Sequence, residues 1–332
     1  MLLSLYRKLA YWAYEKYTPQ RARKAAVEAS YKQSRGYNQS FETGSIDPAI
    51  IAPSLAEQGL KPSDTIFIRT SLTAASAFRG GVVAYLKALM EYFKDGNIVM
   101  ASYTFDKGPI MYLAENPLFD PDKTVDRLNL VSEFFRRQPD VYRSIHPTHS
   151  LVAWGKDASW LVADHHKSDF CYAPDSPVAR LYHLNAKELS VGVYPTSVSY
   201  HYVEQFIPKN APGFHDLDIP IMCRVMIDGK EELLPFKETD AFARFQAHYK
   251  VLKGTDAQPQ KHLFDNKLDF YTLDLNKQLA TMKDLVASKR YWHTEPSRLK
   301  NIIFKNVIKP LILLAFFDKR NNALYPVKGP ES

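Results

Sequence analysis

The chain has 332 residues, 45% apolar and 24% charged, which is enough for one large core or two modest ones and excludes a disordered composition. Its two cysteines, Cys171 and Cys223, lie far apart and exclude a disulfide framework and a C-x-x-C metal or redox motif. The formal charge of +7 sits at the ends: residues 1–35 carry eight basic against two acidic side chains, residues 288–332 nine against three, and the body between them 26 against 31, which speaks against a nucleic-acid channel.

Residues 1–45 read as a basic amphipathic helix and a polar connector. Leu2, Leu5, Tyr6, Leu9, Trp12, Ala13 and Tyr17 recur at helical spacing; the start lacks the long apolar run of an export signal, so export is not expected, and the cysteine usage fits a reduced, cytoplasmic setting. Residues 46–287 form the body. Thr65 to Ser71 is a β-rich run, followed by the small-residue loop Thr73 to Ala77, then Arg79-Gly80-Gly81, a helical segment from Val82 to Phe93 and a second strand, Ile98 to Ser102. This is a β-α-β unit, which implies parallel strands. The alternation continues with a helix over Leu130 to Arg137, a strand over Ser150 to Trp154, a helix over Ser176 to Leu184 and a strand over Glu188 to Val193 that runs into the helix carrying His201. Ile221 to Ile227, Asp228-Gly229 and Glu231 to Pro235 then read as a hairpin on a D-G turn, which makes the sheet mixed. A helix over Asp240 to Leu252 follows.

Residues 288–332 are a basic, apolar extension. Its apolar stretch from Ile302 to Phe317, broken by Pro310, is below the roughly 20 residues needed to span a bilayer. Basic charge with Trp, Tyr and Phe suits the anionic face of a membrane, whereas the plainer reading packs both ends on each other, on the body or across a homodimer interface.

A strand ending in Thr70-Ser71, followed by a small-residue loop and Gly80-Gly81 before a helix, can aim N–H groups and hydroxyls at a pyrophosphate. Neither the dinucleotide G-x-G-x-x-G nor the P-loop motif is present. His201 and Glu204 are three residues apart on one helix face, where a carboxylate can orient an imidazole for general-base work. His146, His149, His165 and His166 lack metal-ligand spacing, and Pro147 breaks a helical H-x-x-H, so no metal is expected. No G-x-S-x-G nucleophile elbow occurs.

Between residues 61 and 206 a series of motifs follows in order: Ser71-Leu72 with Gly80-Gly81; Met100-Ala101-Ser102-Tyr103-Thr104; Phe119-Asp120-Pro121 with Thr124; Glu133-Phe134-Phe135-Arg136; Arg143-Ser144-Ile145-His146-Pro147-Thr148-His149-Ser150; Ala153-Trp154-Gly155; Ser176-Pro177; Gly192-Val193; and His201-x-x-Glu204. This series resembles the aminoglycoside 3-N-acetyltransferase family. The resemblance implies an α/β fold distinct from the GNAT acetyltransferases, with a layered mixed sheet and flanking helices, here extended by the amphipathic N- and C-terminal helices. It also implies direct acetyl transfer from acetyl-coenzyme A to an amine, with His201 as general base and Glu204 as its partner. Ser71, Leu72, Gly80, Gly81, Ser102, Tyr103, Ser144 and His146 are then expected at the coenzyme, and Arg69, Asp120 and Arg143 at the acceptor.

Two departures shape the expected substrate. Arg69 stands where members of the family commonly carry a histidine, and Pro195-Thr196-Ser197-Val198-Ser199-Tyr200-His201 replaces a typical Asn-Thr-Ser-Leu-His. An arginine at the site repels a polycation, and the basic, apolar ends suit an anionic bilayer. The expected acceptor is accordingly an amino sugar of a cell-surface glycan precursor, nucleotide-activated or lipid-linked, met at the inner face of the membrane. The alternatives are an aminoglycoside antibiotic, in a resistance enzyme, and a non-catalytic scaffold at the membrane surface. Transfer to oxygen, or of a longer acyl group, would use the same coenzyme and base.

Overall fold

A computed structural model of the chain describes residues 42–105, 109–113, 115–168, 170–195, 198–208, 220–237 and 252–290, with the backbone of four further two-residue strands. In chain order the strands are β1 (Thr65–Thr70), β2 (Asn97–Tyr103), β3 (Leu118–Phe119), β4 (Tyr142–Arg143), β5 (His149–Gly155), β6 (Lys187–Val191), β7 (Ile221–Ile227), β8 (Lys230–Phe236), β9 (Arg244–Phe245), β10 (Gln260–Phe264), β11 (Leu268–Asp274), β12 (His293–Thr294), β13 (Phe317–Asp318) and β14 (Ala323–Leu324). The helices are α1 (Ile51–Glu57), α2 (Leu72–Ser76), α3 (Gly81–Tyr92), α4 (Pro109–Leu113), α5 (Leu130–Arg136), α6 (Ala158–Val162), α7 (Pro177–His183), α8 (Ser199–Glu204) and α9 (Leu275–Ala287).

The main sheet has seven strands in the order β10-β11-β6-β1-β2-β5-β4. β1 is parallel to β2 and β6, while β5 and β11 run antiparallel to β2 and β6. Strand side chains alternate between faces, and each face has its own core. Ile66, Ile68, Ile98, Met100, Val152, Leu189 and Phe270 pack with α1, α3 and α5. Phe67, Val99, Leu151, Ala153 and Leu273 pack with α6, α7, α8 and α9. The result is a three-layer helix–sheet–helix unit. Fully buried Phe67, Phe135, Phe270 and Tyr85 each contribute roughly 1.5–3 kcal/mol of burial to it. Local chemistry sets the helix starts: the side chains of Asn129, Ser176 and Asp274 accept N–H bonds at the first turns of α5, α7 and α9.

The expected β-α-β unit is present as β1-α3-β2, and the D-G hairpin as β7-β8, with Asp228 and Gly229 both at positive φ. That hairpin is not what mixes the main sheet, because it belongs to a second, five-stranded sheet with β3, β14 and β13. The reversals in the main sheet come from β5, which the alternating pattern placed in a parallel series, and from β11 on the other side. Strand direction depends on how the long connection from 104 to 148 returns, and periodicity carries no record of that. The β10-β11 hairpin, turning at Asp265-Asn266 with positive φ at both, and helix α9 after the Asp274 cap were not anticipated. A D-N turn and an Asx cap were the available signals. Within the stretch expected to be helical, Asp240 to Leu252, the backbone at Arg244–Phe245 instead pairs with β12. The expected terminal helices lie outside the described residues, apart from β13 and β14. Among the described residues, no helix is long and apolar enough to cross a membrane.

Candidate active site

The carboxyl ends of β1, β2 and β6 and the start of β5 share one edge of the main sheet, the edge at which open α/β sheets present their ligand crevices. Helix α8 lies at that edge. Its Tyr200, Tyr202 and Val203 are buried, and the Tyr182 hydroxyl of α7 donates to Ser199 Oγ at 2.9 Å. With three faces of the helix fixed, His201 and Glu204 meet as their spacing predicts: His201 Nδ1 lies 3.1 Å from Glu204 Oε2. The glutamate side chain is only 2% exposed, against 33% for the histidine, so the carboxylate is buried and the ring is partly open. A carboxylate accepts only, which puts the ring proton on Nδ1 and the basic lone pair on Nε2.

Aromatic rings complete the wall. Tyr172 stacks on His201, with centroids 5.3 Å apart and planes 14° from parallel. Its hydroxyl pairs with that of Tyr103 at 3.0 Å, and Tyr103 in turn stacks on Phe105 and meets the His149 ring edge-on. Gln205, just past α8, donates from Nε2 to the Tyr172 carbonyl at 3.0 Å. Of this group the sequence singled out Tyr103 and the motif containing His149. Tyr172 and Gln205 sit in no recognisable pattern and were missed.

The residues expected at the coenzyme separate into two sets. Ser71 caps α2, its Oγ accepting from Ala74 N at 3.0 Å, and Leu72 beside it is 40% exposed. Gly192, at the end of β6, has φ +63°, and a Cβ there would stand 2.4 Å from Ala74 Cβ and 3.3 Å from Ser71 Oγ, so its bare backbone shapes this corner. Gly80 and Gly81 lie one helix further on, as the left-handed turn into α3. Ser102, Ser144 and His146 are buried instead. Ser144 Oγ donates to His165 Nδ1 at 2.8 Å and accepts from Leu151 N at 2.8 Å, and His165 Nε2 in turn donates to the Cys171 carbonyl at 3.0 Å. His146 Nδ1 accepts from His149 N at 3.1 Å, while its Nε2 is buried with no hydrogen-bond partner among the described residues.

The three residues expected at the acceptor are also not together. Arg69 lies in register with Ser190 on the face of Phe67, close enough for its charge to act on Tyr103. Arg143 is on the opposite face, packed over Phe119. Its guanidinium donates to Ser150 Oγ at 2.9 Å, to the Ser102 carbonyl at 3.1 Å and to the Thr124 carbonyl, so it ties a loop to the sheet. Asp120 accepts from Asp122 N and Lys123 N and pairs with Lys123 at 3.3 Å, holding its own turn.

Burial dominates the electrostatics. It pushes the Tyr103 hydroxyl up to about 12 and Tyr172 well above the usual phenol range, so both are neutral donors at physiological pH. It drives His165 down to about 3 and His146 well below the ordinary imidazole value, the latter helped by neighbouring His165 and His149. These two histidines are therefore neutral parts of the wall. Arg143 falls to about 10 through burial and the nearby Arg136, and stays cationic. Among the described residues no group of three or more His, Cys, Asp or Glu is arranged to hold a metal.

The model of the aminoglycoside 3-N-acetyltransferase family matches residues 67–274. Aminoglycoside N(3)-acetyltransferase VII of Streptomyces paromomycinus is 28% identical over 233 residues, which cover 64% of this chain and 78% of that one. Among solved structures, AAC-IIIb in a binary complex with CoASH aligns with a TM-score of 0.61 and 20% identity over 75% of this chain and 99% of its own. AAC-VIa bound to sisomicin aligns with a TM-score of 0.58 and 22% identity over 73% and 98%. At these identities the structural likeness shows the fold, the same layered mixed sheet.

Proposed function

The chain belongs to the aminoglycoside 3-N-acetyltransferase family, and on that premise we propose that it acetylates an amino group of an aminoglycoside-type amino sugar, with acetyl-coenzyme A as donor and His201 as general base. The family's chemistry is coenzyme-A-dependent transfer of an acetyl group to an amino group. The observation that carries the assignment of the base is the His201–Glu204 pair at the carboxyl edge of the sheet.

The acceptor nitrogen must lose a proton to expose its lone pair and another as it becomes an amide, which an imidazole can accept at neutral pH. The neutral amine, its first proton released to solvent, attacks the thioester carbonyl; as the carbon–nitrogen bond forms, His201 Nε2 takes a second proton from the nitrogen, the carbon–sulfur bond breaks, and that proton passes to the leaving thiolate, leaving a neutral amide. Glu204 holds the ring by its Nδ1–H and stabilises the imidazolium while the proton is held. The corner of Ser71, Leu72 and Gly192 suits the coenzyme, since it pairs a capped helix start with a backbone that no Cβ screens.

The relatives' names support an aminoglycoside as acceptor class. Arg69 favours a second reading, in which the acceptor amine sits on an anionic glycan precursor and the basic, apolar ends dock on an anionic bilayer. Steady-state acetylation of sisomicin, gentamicin and apramycin, run beside nucleotide-activated amino sugars, separates the two. Efficient turnover of an aminoglycoside selects the first, and turnover confined to the nucleotide sugar selects the second. Absence of acetyl-coenzyme A binding by calorimetry would remove both in favour of a scaffold. Liposome flotation with and without residues 1–35 tests the docking.

A further inference from the structure

We infer that Asn129 is a positioning residue for the coenzyme corner: its side-chain amide spans from the first turn of α5 to the Thr70 carbonyl and so sets the peptide unit that leads into Ser71. The inference rests on the coenzyme site proposed above.

β1 and β2 are in register only from Thr65–Asn97 to Phe67–Val99, whereas β1 follows β6 as far as Thr70–Val191. Past Phe67, among the described residues, the β2 side of β1 therefore has no strand residue in register with it. The peptide unit joining Thr70 to Ser71 lies beyond this break, and the N–H and carbonyl of a trans peptide point in opposite directions. The N–H reaches β6, donating to the Val191 carbonyl at 3.4 Å, which is long for such a bond. The carbonyl, on the other side, accepts from Asn129 Nδ2. A side chain thus stands where a neighbouring strand would otherwise supply the donor.

The amide can do this in one orientation only. Asn129 Oδ1 accepts from Val131 N at 3.0 Å as the cap of α5, which leaves the Nδ2 end to donate. The backbone carbonyl of Asn129 accepts from Ser132 Oγ at 2.9 Å and from Glu133 N at 3.1 Å. Two residues earlier, Arg127 N donates to the Tyr103 carbonyl at 2.7 Å, so the segment entering α5 is fixed to β2 as well. What this braced arm steadies is the start of α2. Ser71 follows Thr70 directly, caps α2 through Oγ, and stands against Gly192, where an added Cβ would lie 3.3 Å from that oxygen. His201 sits on a different element, α8, and does not depend on this peptide unit. Asn129 should therefore govern coenzyme affinity rather than the chemical step.

The test uses the full chain and whichever acceptor is turned over. Asn129→Asp keeps a cap oxygen of similar strength for α5 but has no proton to give the Thr70 carbonyl. It is expected to weaken acetyl-coenzyme A binding about fivefold by calorimetry and to raise the coenzyme KM alike, with kcat and the acceptor KM within about twofold of the parent. A general loosening of the fold would instead lower kcat through loss of active protein, with coenzyme affinity unchanged in what remains. Asn129→Ser, which still caps α5 but is too short to reach Thr70, should show the same selective loss, and it decides the matter if the aspartate variant does not fold. Parental coenzyme affinity in a folded variant overturns the inference. Gly192→Ala then tells whether the coenzyme site falls with it: weakened affinity in that variant alone removes only the role of Asn129, and parental affinity in both moves the coenzyme away from this corner.

Discussion

Glu204 lies buried beside His201, with Oε2 3.1 Å from Nδ1, while the imidazole keeps a third of its side-chain surface exposed. The pair is therefore directional, with the carboxylate on the buried side and the imidazole on the more open one. His201→Ala is expected to lower kcat/KM by roughly 10²–10⁴, the usual contribution of a general base. Glu204→Gln keeps an oxygen acceptor but removes the charge that steadies the imidazolium, so a smaller loss, about tenfold in kcat, is expected. Steady-state kinetics with saturating acetyl-coenzyme A checks both, and a parental rate in Glu204→Gln would remove the carboxylate from the mechanism.

Glu133 is the most heavily bonded carboxylate described. Arg136 grips it through Nε at 2.9 Å and Nη2 at 2.8 Å, Arg137 Nε donates at 2.7 Å, and Asp126 N donates at 2.9 Å. Burial alone would raise its pKa, but these donors override that and bring it down to about 2. Its stabilisation is thus complete above the ordinary carboxylate value and is lost as pH falls toward 2. Since Glu133 and Arg136 are both nearly buried, Glu133→Ala leaves a guanidinium without its partner and should cost about 3 kcal/mol in urea unfolding at pH 7. A loss below about 1 kcal/mol would place the cluster among weak surface pairs.

His165 and His146 give the fold an acid sensitivity nearer neutrality. With His165 at about 3 in the folded protein and near 6.5 when unfolded, the unfolded chain binds more protons between those values, so stability is complete above pH 6.5 and falls as pH drops. The slope reaches about 1.4 kcal/mol per pH unit for each such group, and His146 acts in the same direction. Urea midpoints should fall from pH 7 to pH 5, and His165→Gln should flatten that dependence even if it lowers stability overall. An identical slope in the variant would assign the effect elsewhere.

Gly192 links a backbone requirement to the coenzyme corner. At φ +63°, with Ala74 Cβ 2.4 Å from the position of an added Cβ, Gly192→Ala must shift α2 and with it Ser71. Loss of stability of about 1–2 kcal/mol is expected from the left-handed backbone, together with a raised KM for acetyl-coenzyme A. An unchanged coenzyme KM in a destabilised variant would move the coenzyme away from Ser71.

The strands at Thr65, Ile98, Ser150 and Glu188, the helices at Val82, Leu130 and Ser176 and the Asp228-Gly229 hairpin were legible because periodicity, caps and turn chemistry act over a few residues. Even so, the strand expected to reach Val193 stops at Val191, since Gly192 turns the chain. The partner of β5, the second sheet and the β10-β11 edge were not legible, because pairing between distant strands leaves no local period.

The candidate site divides along the same line. The sequence alone determined the ordered motifs and the meeting of His201 with Glu204, since residues three apart on a helix have little choice but to be neighbours. Only the tertiary structure decided that Arg143 braces a loop, that Ser144 and His146 lie within the wall, and that Tyr172 covers the imidazole face. Those placements depend on which face of a strand points to which layer, and on side chains about 30 residues apart brought side by side when the sheet assembles.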